Sequence, residues 1–379
     1  MALKPICIGI LGGGQLARMS AIAARRMGID IAILDAETGS PAGQLAAFEF
    51  KGSPANKKIL KQFSSACDVI TLENEFIDYR ILQYLESLGK KVYPSSLTIS
   101  RIQDKLIQKQ VLKKNGIPLP AFMAVDHKKD FNVIAAGLGL PFVLKSRKMG
   151  YDGYGNALVK NKKDFDAAFD KLTHRHSKLL AEEFVDFTME LAVMIARTKK
   201  EIAVYPVVET VQKDHICHTV SAPANVSPAV MKKAKKIAVD SVKAVKGFGI
   251  YGIELFLTRS GRLLVNEMAP RPHNSGHYTI EGCVTSQFEN HIRSVLGLPL
   301  GSTEMVKPYA VMINLLGKTS GAGIIKNYNT ALSDPNVHLH LYGKKKSRKG
   351  RKMGHVTITG DSAGRILAAA KRTEKKIVI

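Results

Sequence analysis

One stretch restricts what this chain can fold into more than any other: Asn266-Glu267-Met268-Ala269-Pro270-Arg271-Pro272-His273-Asn274-Ser275-Gly276-His277-Tyr278-Thr279. It follows Arg262-Leu263-Leu264-Val265, whose pattern predicts a strand, and Gly252-Ile253-Glu254-Leu255-Phe256-Leu257 predicts another. Arg259-Ser260-Gly261 supplies a turn between them, so the pair reads as a β-hairpin. Pairing of these strands brings Glu254 and Glu267 to one face. Two carboxylates beside the amide oxygen of Asn266 are hard oxygen donors that suit Mg²⁺, which keeps waters and substrate phosphates as its other ligands. Arg271, His273 and His277 add cationic or proton-donating groups just downstream. A surface hairpin with a solvated loop is the alternative.

The rest of the chain is long enough to support such a site. Its 379 residues allow two or three domains with real cores. No apolar run reaches transmembrane length, and the N-terminus passes straight into a strand without a signal peptide. The four cysteines (Cys7, Cys67, Cys217, Cys283) include no Cys-x-x-Cys pair. Reduced thiols and a cytoplasmic location are therefore expected, rather than a disulfide framework or a zinc site. The net charge of +24 favours acidic partners. Small phosphorylated ligands fit better than nucleic acid, because much of the excess is lysine spread over helices and no zinc-finger or ribonucleoprotein motif is present.

Taken in order, Pro5-Ile6-Cys7-Ile8-Gly9-Ile10-Leu11 reads as a buried parallel strand. The glycines Gly12-Gly13-Gly14 and a helix beginning near Gln15 then form an expected anion cradle. Asp35, at the end of the second strand, resembles a ribose-binding acid, yet the glycine spacing departs from the dinucleotide fingerprint. A further strand ends in Glu73 and Glu75, expected to point the same way at a ligand-binding sheet edge; a plain exposed edge is the alternative. Residues 98–115 predict one long basic helix. The strand Leu140 to Lys145 leads into Ser146 to Asn156, rich in Gly, Asp, Asn and cations, which suits a lid over phosphates or a plain long hairpin loop. Strands are expected at 179–185, 189–196 and 201–209, a lysine-rich helix at 227–247 and another helix near 283–296. Seven of the thirteen residues from Gly343 to His355 are Lys or Arg, a phosphate-binding loop or a nucleic-acid patch. His218, His338 and His340 read as structural.

Five stretches together resemble the ATP-grasp family, and within it the ligases that carboxylate aminoimidazole ribonucleotide in purine biosynthesis. They are Gly12-Gly13-Gly14-Gln15-Leu16, Gln103-Asp104-Lys105, Gly150-Tyr151-Asp152-Gly153, Asn266-Glu267 through His277, and Tyr342-Gly343-Lys344 through His355. The resemblance implies an α/β and α+β chain: a Rossmann-like N-terminal domain (1–100), an ATP-grasp domain (101–300) and a small β-rich C-terminal domain (301–379). It implies ATP, Mg²⁺ (or Mn²⁺) and bicarbonate, with carboxyphosphate as intermediate.

By the same resemblance, Lys105 and Lys145 contact the nucleotide. Gly150, Tyr151, Asp152, Gly153, Tyr154, Gly155 and Asn156 cover its phosphates. Glu182, Glu183, Phe184 and Val185 form the adenine hinge, Glu190 holds the ribose, and Asn266 with Glu267 borders the phosphates. Glu254 and Glu267 hold the metal. Asp152, Arg271 and Lys344 are the implied catalytic residues. Gln15, Glu75, His273, Asn274, Ser275, Lys344 and Arg351 surround the ribonucleotide. Two positions depart from the family pattern: Lys105 replaces an arginine, and Gln212 replaces a histidine, so Gln212 stays outside the expected site. A homodimer, a separate mutase for the product, and no membrane or nucleic-acid partner complete the expectation. Another ATP-grasp ligase, such as the formate-using glycinamide ribonucleotide transformylase, or a non-catalytic nucleotide- or nucleic-acid-binding protein, is the alternative.

Overall fold

The computed structural model describes residues 6–150, 155–174 and 178–379. The apolar run at the N-terminus becomes the middle strand of a five-stranded parallel sheet, ordered Phe48–Lys51, Asp30–Asp35, Cys7–Leu11, Val69–Leu72, Lys91–Val92. A parallel sheet needs cover on both faces. Ile8 and Ile10 pack with Ala17, Ala21 and Ala24 of the helix Gln15–Arg26, while Cys7 and Leu11 pack with Phe63 and Leu82 on the other side. Gly9 permits this contact, since a Cβ there would lie 2.6 Å from the Phe63 ring.

The glycine turn is not an open anion cradle. Gly13 N–H donates to Asp35 Oδ2 (2.7 Å), Gly14 N–H to Glu73 Oε2 (2.6 Å) and Leu16 N–H to Glu73 Oε1 (3.2 Å). The chain's own carboxylates therefore satisfy the first amides of the helix, where negative charge is favoured. Asp35 acts as a turn acceptor here rather than as a ribose ligand. Glu73 and Glu75 also differ from expectation, because the strand stops at Leu72. Freed from strand alternation, Glu73 turns back to the helix and Glu75 turns to Arg271 (2.5 Å). Neither lies on an exposed edge.

Residues 98–115 form two helices, Ser96–Ile102 and Lys105–Lys114. Asp104 causes the break. Its Oδ1 accepts from Leu106 N–H (3.0 Å), capping the second helix, and the carboxylate also takes Nε and Nη2 of Arg147 (2.9 and 2.7 Å).

A four-stranded antiparallel sheet follows, ordered Phe122–Val125, Leu179–Glu183, Phe142–Ser146, Asn156–Val159. A nine-stranded antiparallel sheet then carries Leu263–Ala269, Gly249–Thr258, Phe187–Arg197, Val208–Lys213, Ile216–Ala222, Tyr309–Leu316, Lys352–Gly360 and Val337–Leu341 in that order, with Ile202–Val204 beside Phe187–Arg197. The strand expected at 201–209 is thus two strands, split around Pro206, which lacks an N–H for the ladder. The helix Pro228–Ala244, capped by Ser227, packs Ala234, Ile237, Ala238 and Val242 against Leu191, Val193 and Ile195. The helix expected near 283–296 is shorter, Gln287–Leu296, and starts at the Ser286 cap. Because Tyr309–Leu316 pairs with Ile216–Ala222, the C-terminal strands extend the same sheet. No helix among the described residues is long and apolar enough to cross a membrane, and none of the four cysteines forms a disulfide.

A seam of histidines joins the C-terminal strands to the loop after Glu267. The His340 and His355 rings stack at 4.4 Å, and His277 lies 5.1 Å from His355. His340 bonds Glu281 (2.7 Å), His355 bonds Tyr342 (2.9 Å) and His218 bonds Glu374 (2.9 Å), so His218 and His340 serve structural roles. No group of three His, Cys, Asp or Glu side chains is placed to hold a metal among the described residues.

Burial holds His277 and His355 well below the usual histidine range and His291 down at about 4. The folded protein keeps them neutral, while the unfolded chain protonates them below about 6.5. Stability is therefore present above that pH and lost as pH falls, by about 1.4 kcal/mol per histidine per pH unit. Urea midpoints should fall between pH 7.5 and pH 5, and His291→Gln should flatten that slope; a flat wild-type profile would contradict the argument. Asp104→Asn, which keeps the cap oxygen but strips the charge facing half-buried Arg147, should destabilise by about 2 kcal/mol in the same assay.

Candidate active site

The hairpin organises the site. Glu254 and Glu267 are direct partners across Gly249–Thr258 and Leu263–Ala269. Strict alternation would place Asn266 on the opposite face from Glu267. The register instead shifts between Glu254 and Leu255, which pairs with Val265, so Asn266 is an extra residue in the ladder. Such a bulge re-aims a side chain. Asn266 Nδ2 donates to Glu254 Oε2 (3.2 Å) and its Oδ1 lies 3.4 Å from Lys145 Nζ. The amide and both carboxylates thereby meet at one place.

Cations from three other segments surround them. Lys105, at the start of its helix, pairs with Glu267. Lys145, at the end of its strand, donates to Glu182 Oε2 (2.9 Å). Lys109 reaches the same oxygen (3.2 Å) and the Asn266 carbonyl (3.2 Å). These neighbours split the carboxyl groups apart. Burial, then Glu267 and Glu190, push Glu254 up to about 8. Burial also raises Glu267, but Lys105 outweighs it and holds that carboxyl at about 2. Burial raises Glu182 too, and Lys109 and Lys145 together keep it below the ordinary value. His273 Nε2 lies 3.5 Å from Glu254, yet burial and then Arg271 bring it to about 3, so it faces Glu254 as a neutral ring.

The expected ribonucleotide residues divide into two groups. Arg271 forks onto Glu75 through Nε and Nη2 (2.5 and 3.1 Å), and Lys344 bonds Gln15 and the Lys352 carbonyl (2.6 Å). These pairs bring the N-terminal sheet to the later segments. Asn274 and Ser275 instead are buried and build the loop: Asn274 exchanges hydrogen bonds with Asn314 (3.0 and 2.6 Å), and Ser275 Oγ bonds His273 Nδ1 (2.9 Å). Arg351 Nη1 donates to the Lys346 carbonyl (2.9 Å), within its own loop.

Of the residues expected at the adenine hinge, Glu182 is buried, Glu183 accepts from Ala121 N–H (3.1 Å), Phe184 is exposed and Val185 buried. Gly150 and Gly155 come together, Ser146 N–H donates to the Gly155 carbonyl (2.7 Å), and Asn156 pairs with Lys145. Tyr151, Asp152, Gly153 and Tyr154 lie outside the described residues. A cleft is lined by Glu75, Lys105, Arg147, Met149, Gly150 and Glu267.

Two residues of this cluster escape the sequence expectation. Gln212 Nε2 donates to Glu190 Oε2 (2.8 Å) from the neighbouring strand, although its type departs from the family pattern. Lys109 lies four residues after Lys105 in one helix, so the spacing that puts both on one face is present in the sequence.

Comparison with known proteins agrees with this architecture. The ribonucleotide synthetase preATP-grasp domain matches residues 6–103, the ATP-grasp domain residues 110–288 and the phosphoribosylaminoimidazole carboxylase C-terminal domain residues 310–369. N5-carboxyaminoimidazole ribonucleotide synthase of Synechococcus elongatus is 40% identical, with 99% of this chain and 93% of that one covered. Phosphoribosylaminoimidazole carboxylase of Saccharomyces cerevisiae is 45% identical over 94% of this chain. The chain spans 64% of its length, and about two thirds of the similar carboxylase from Ogataea methanolica (66%). Among solved structures, N5-carboxyaminoimidazole ribonucleotide synthetase from Thermotoga maritima superimposes with a TM-score of 0.87 at 44% identity, covering 98% and 99% of the two chains. The Aspergillus clavatus N5-carboxyaminoimidazole synthase in complex with ADP and 5-aminoimidazole ribonucleotide gives 0.89 at 37% identity, covering 98% of each. With glutamates paired across a bulged hairpin, lysines converging on them and relatives matched along nearly their whole length, the chain belongs to the N5-carboxyaminoimidazole ribonucleotide synthase family of ATP-grasp proteins.

Proposed function

We propose that this protein is an ATP-dependent ligase that carboxylates 5-aminoimidazole ribonucleotide with bicarbonate, giving N5-carboxyaminoimidazole ribonucleotide, ADP and phosphate in purine biosynthesis. The observation that carries the reading is the Glu254–Glu267 pair with Asn266 and Lys145 at its edge. The similar Aspergillus clavatus structures, bound to ATP and to ADP with the ribonucleotide, support it. The division into 1–100, 101–300 and 301–379 is part of the same reading, supported by the three family matches. A homodimer and a separate mutase that takes the product rest on the family resemblance, and a cytoplasmic location on the four scattered cysteines.

The donor set fits a hard divalent cation. Two carboxylates and an amide oxygen converge, Lys105 balances only one of the carboxylates, and the ring facing the other is neutral. Glu254 and Glu267 would hold Mg²⁺, with Asn266 beside them, and its chemistry there is to neutralise charge spreading over the transferring phosphoryl oxygens. Lys145 and Lys105 neutralise the rest of the triphosphate; Lys105 does so as a point charge where an arginine would fork. Glu190, held by Gln212, faces the ribose, and Glu182 to Val185 border the base. The γ-phosphoryl group passes from ATP to a bicarbonate oxygen, forming carboxyphosphate and ADP. The 5-amino group then takes the carboxyl carbon as phosphate leaves. Asp152 orients that amine or takes its proton. The lid from Gly150 to Asn156 excludes water, which would otherwise hydrolyse the acyl phosphate. Arg271, oriented by Glu75, and Lys344, oriented by Gln15, supply cations toward the ribonucleotide.

ADP release in Mg-ATP and bicarbonate should rise on adding 5-aminoimidazole ribonucleotide, with one labelled carboxyl incorporated per turnover; no stimulation would sink the substrate assignment. Glu267→Gln should lower kcat by at least a hundredfold, because Lys105 loses its partner and the metal loses a charged ligand. The same variant retaining wild-type turnover at saturating Mg²⁺ would place the metal elsewhere.

A further inference from the structure

Lys109 touches neither the cleft nor its rim, yet it is the most deeply buried cation of the cluster, with a side-chain exposure of 2%. A buried ammonium is costly unless paired, and an apolar side chain of similar size could fill the same space. Its partners show what it does there. Glu182 Oε2 accepts from Lys145 (2.9 Å) and Lys109 (3.2 Å) at once, while Oε1 has no partner among the described residues. Lys109 also donates to the carbonyl of Asn266, the extra residue of the bulge whose side chain meets Glu254 and Lys145. Lys105 takes Glu267, so Glu182 is the one carboxylate that Lys109 and Lys145 share.

We propose that Lys109 is a positioning residue for nucleotide binding: by sharing Glu182 it prevents that carboxylate from neutralising Lys145, and by holding the Asn266 carbonyl it keeps the bulge aimed at the site. This rests on the nucleotide reading above. Without Lys109, Lys145 and Glu182 become a closed neutral pair, and a phosphate must break that pair to bind. The Asn266 backbone loses a side-chain anchor at the same time. Lys109 acts entirely through other residues, so its removal should weaken nucleotide binding and leave the ribonucleotide side untouched.

The test compares wild type with Lys109→Met, Lys109→Gln and Lys109→Arg. ADP affinity is read by titration calorimetry, thermal unfolding is recorded for each variant, and KM is measured separately for ATP and ribonucleotide. Lys109→Met is expected to bind ADP at least tenfold more weakly and to raise the KM for ATP by a similar factor, with the ribonucleotide KM within twofold. Lys109→Arg, which keeps the charge, should recover most of the affinity. A folded Lys109→Met that binds ADP within twofold of wild type overturns the proposal. Lys109→Gln, which keeps a donor for Asn266 without the charge, decides the matter in the same way if the methionine variant does not fold. Failure of the wild type itself to bind ADP would instead remove the nucleotide reading on which the proposal stands.

Discussion

The bulge in the hairpin between Gly249–Thr258 and Leu263–Ala269 is the constraint on which the site depends. Strand pairing alone aligns Glu254 with Glu267, but alternation would send the next side chain to the far face. One extra residue in the ladder lets Asn266 and Glu267 serve the same side. That arrangement sets two carboxylates against each other at close range, and everything around them answers the resulting repulsion. Lys105 takes one carboxylate, burial and repulsion drive the other toward protonation, and Lys145 approaches through the amide. A cleft built this way holds its charges ready before a ligand arrives, which is how electrostatic stabilisation of phosphoryl transfer avoids reorganisation.

A second consequence concerns how the segments are tied together. The N-terminal sheet contributes carboxylates and an amide rather than an open glycine turn. Glu73 and Asp35 occupy the helix amides, while Glu75 and Gln15 reach the later segments through Arg271 and Lys344. The C-terminal strands continue the central sheet, and the histidine seam fastens them beneath the Arg271 to His277 loop. Asn274 and Ser275, polar residues in that loop, hold it in shape.

The two departures from the family pattern have different structural meanings. Lys105 keeps the charge of the arginine it replaces and meets Glu267 with it, but a single ammonium cannot bridge two acceptors as a guanidinium can. Gln212 keeps contact with Glu190 through a neutral amide, so this hydrogen bond itself does not titrate.

Much of this protein was legible in the sequence. The hairpin, its facing glutamates, the lysine at the end of the Phe142–Ser146 strand and the parallel N-terminal sheet all follow from local patterns of period two and from turn residues, because those patterns are set by the backbone itself. What only the tertiary structure decided were the partners. Whether Glu73 turns to a helix N-terminus or to a ligand, whether Asp104 breaks one helix into two, and whether Lys109 or water balances Glu182 depend on groups separated by tens of residues in the chain, 59 for Glu73 and 43 for Asp104. Side-chain charges are satisfied by whatever the fold brings within about 3 Å, and that distance is not written in any local spacing.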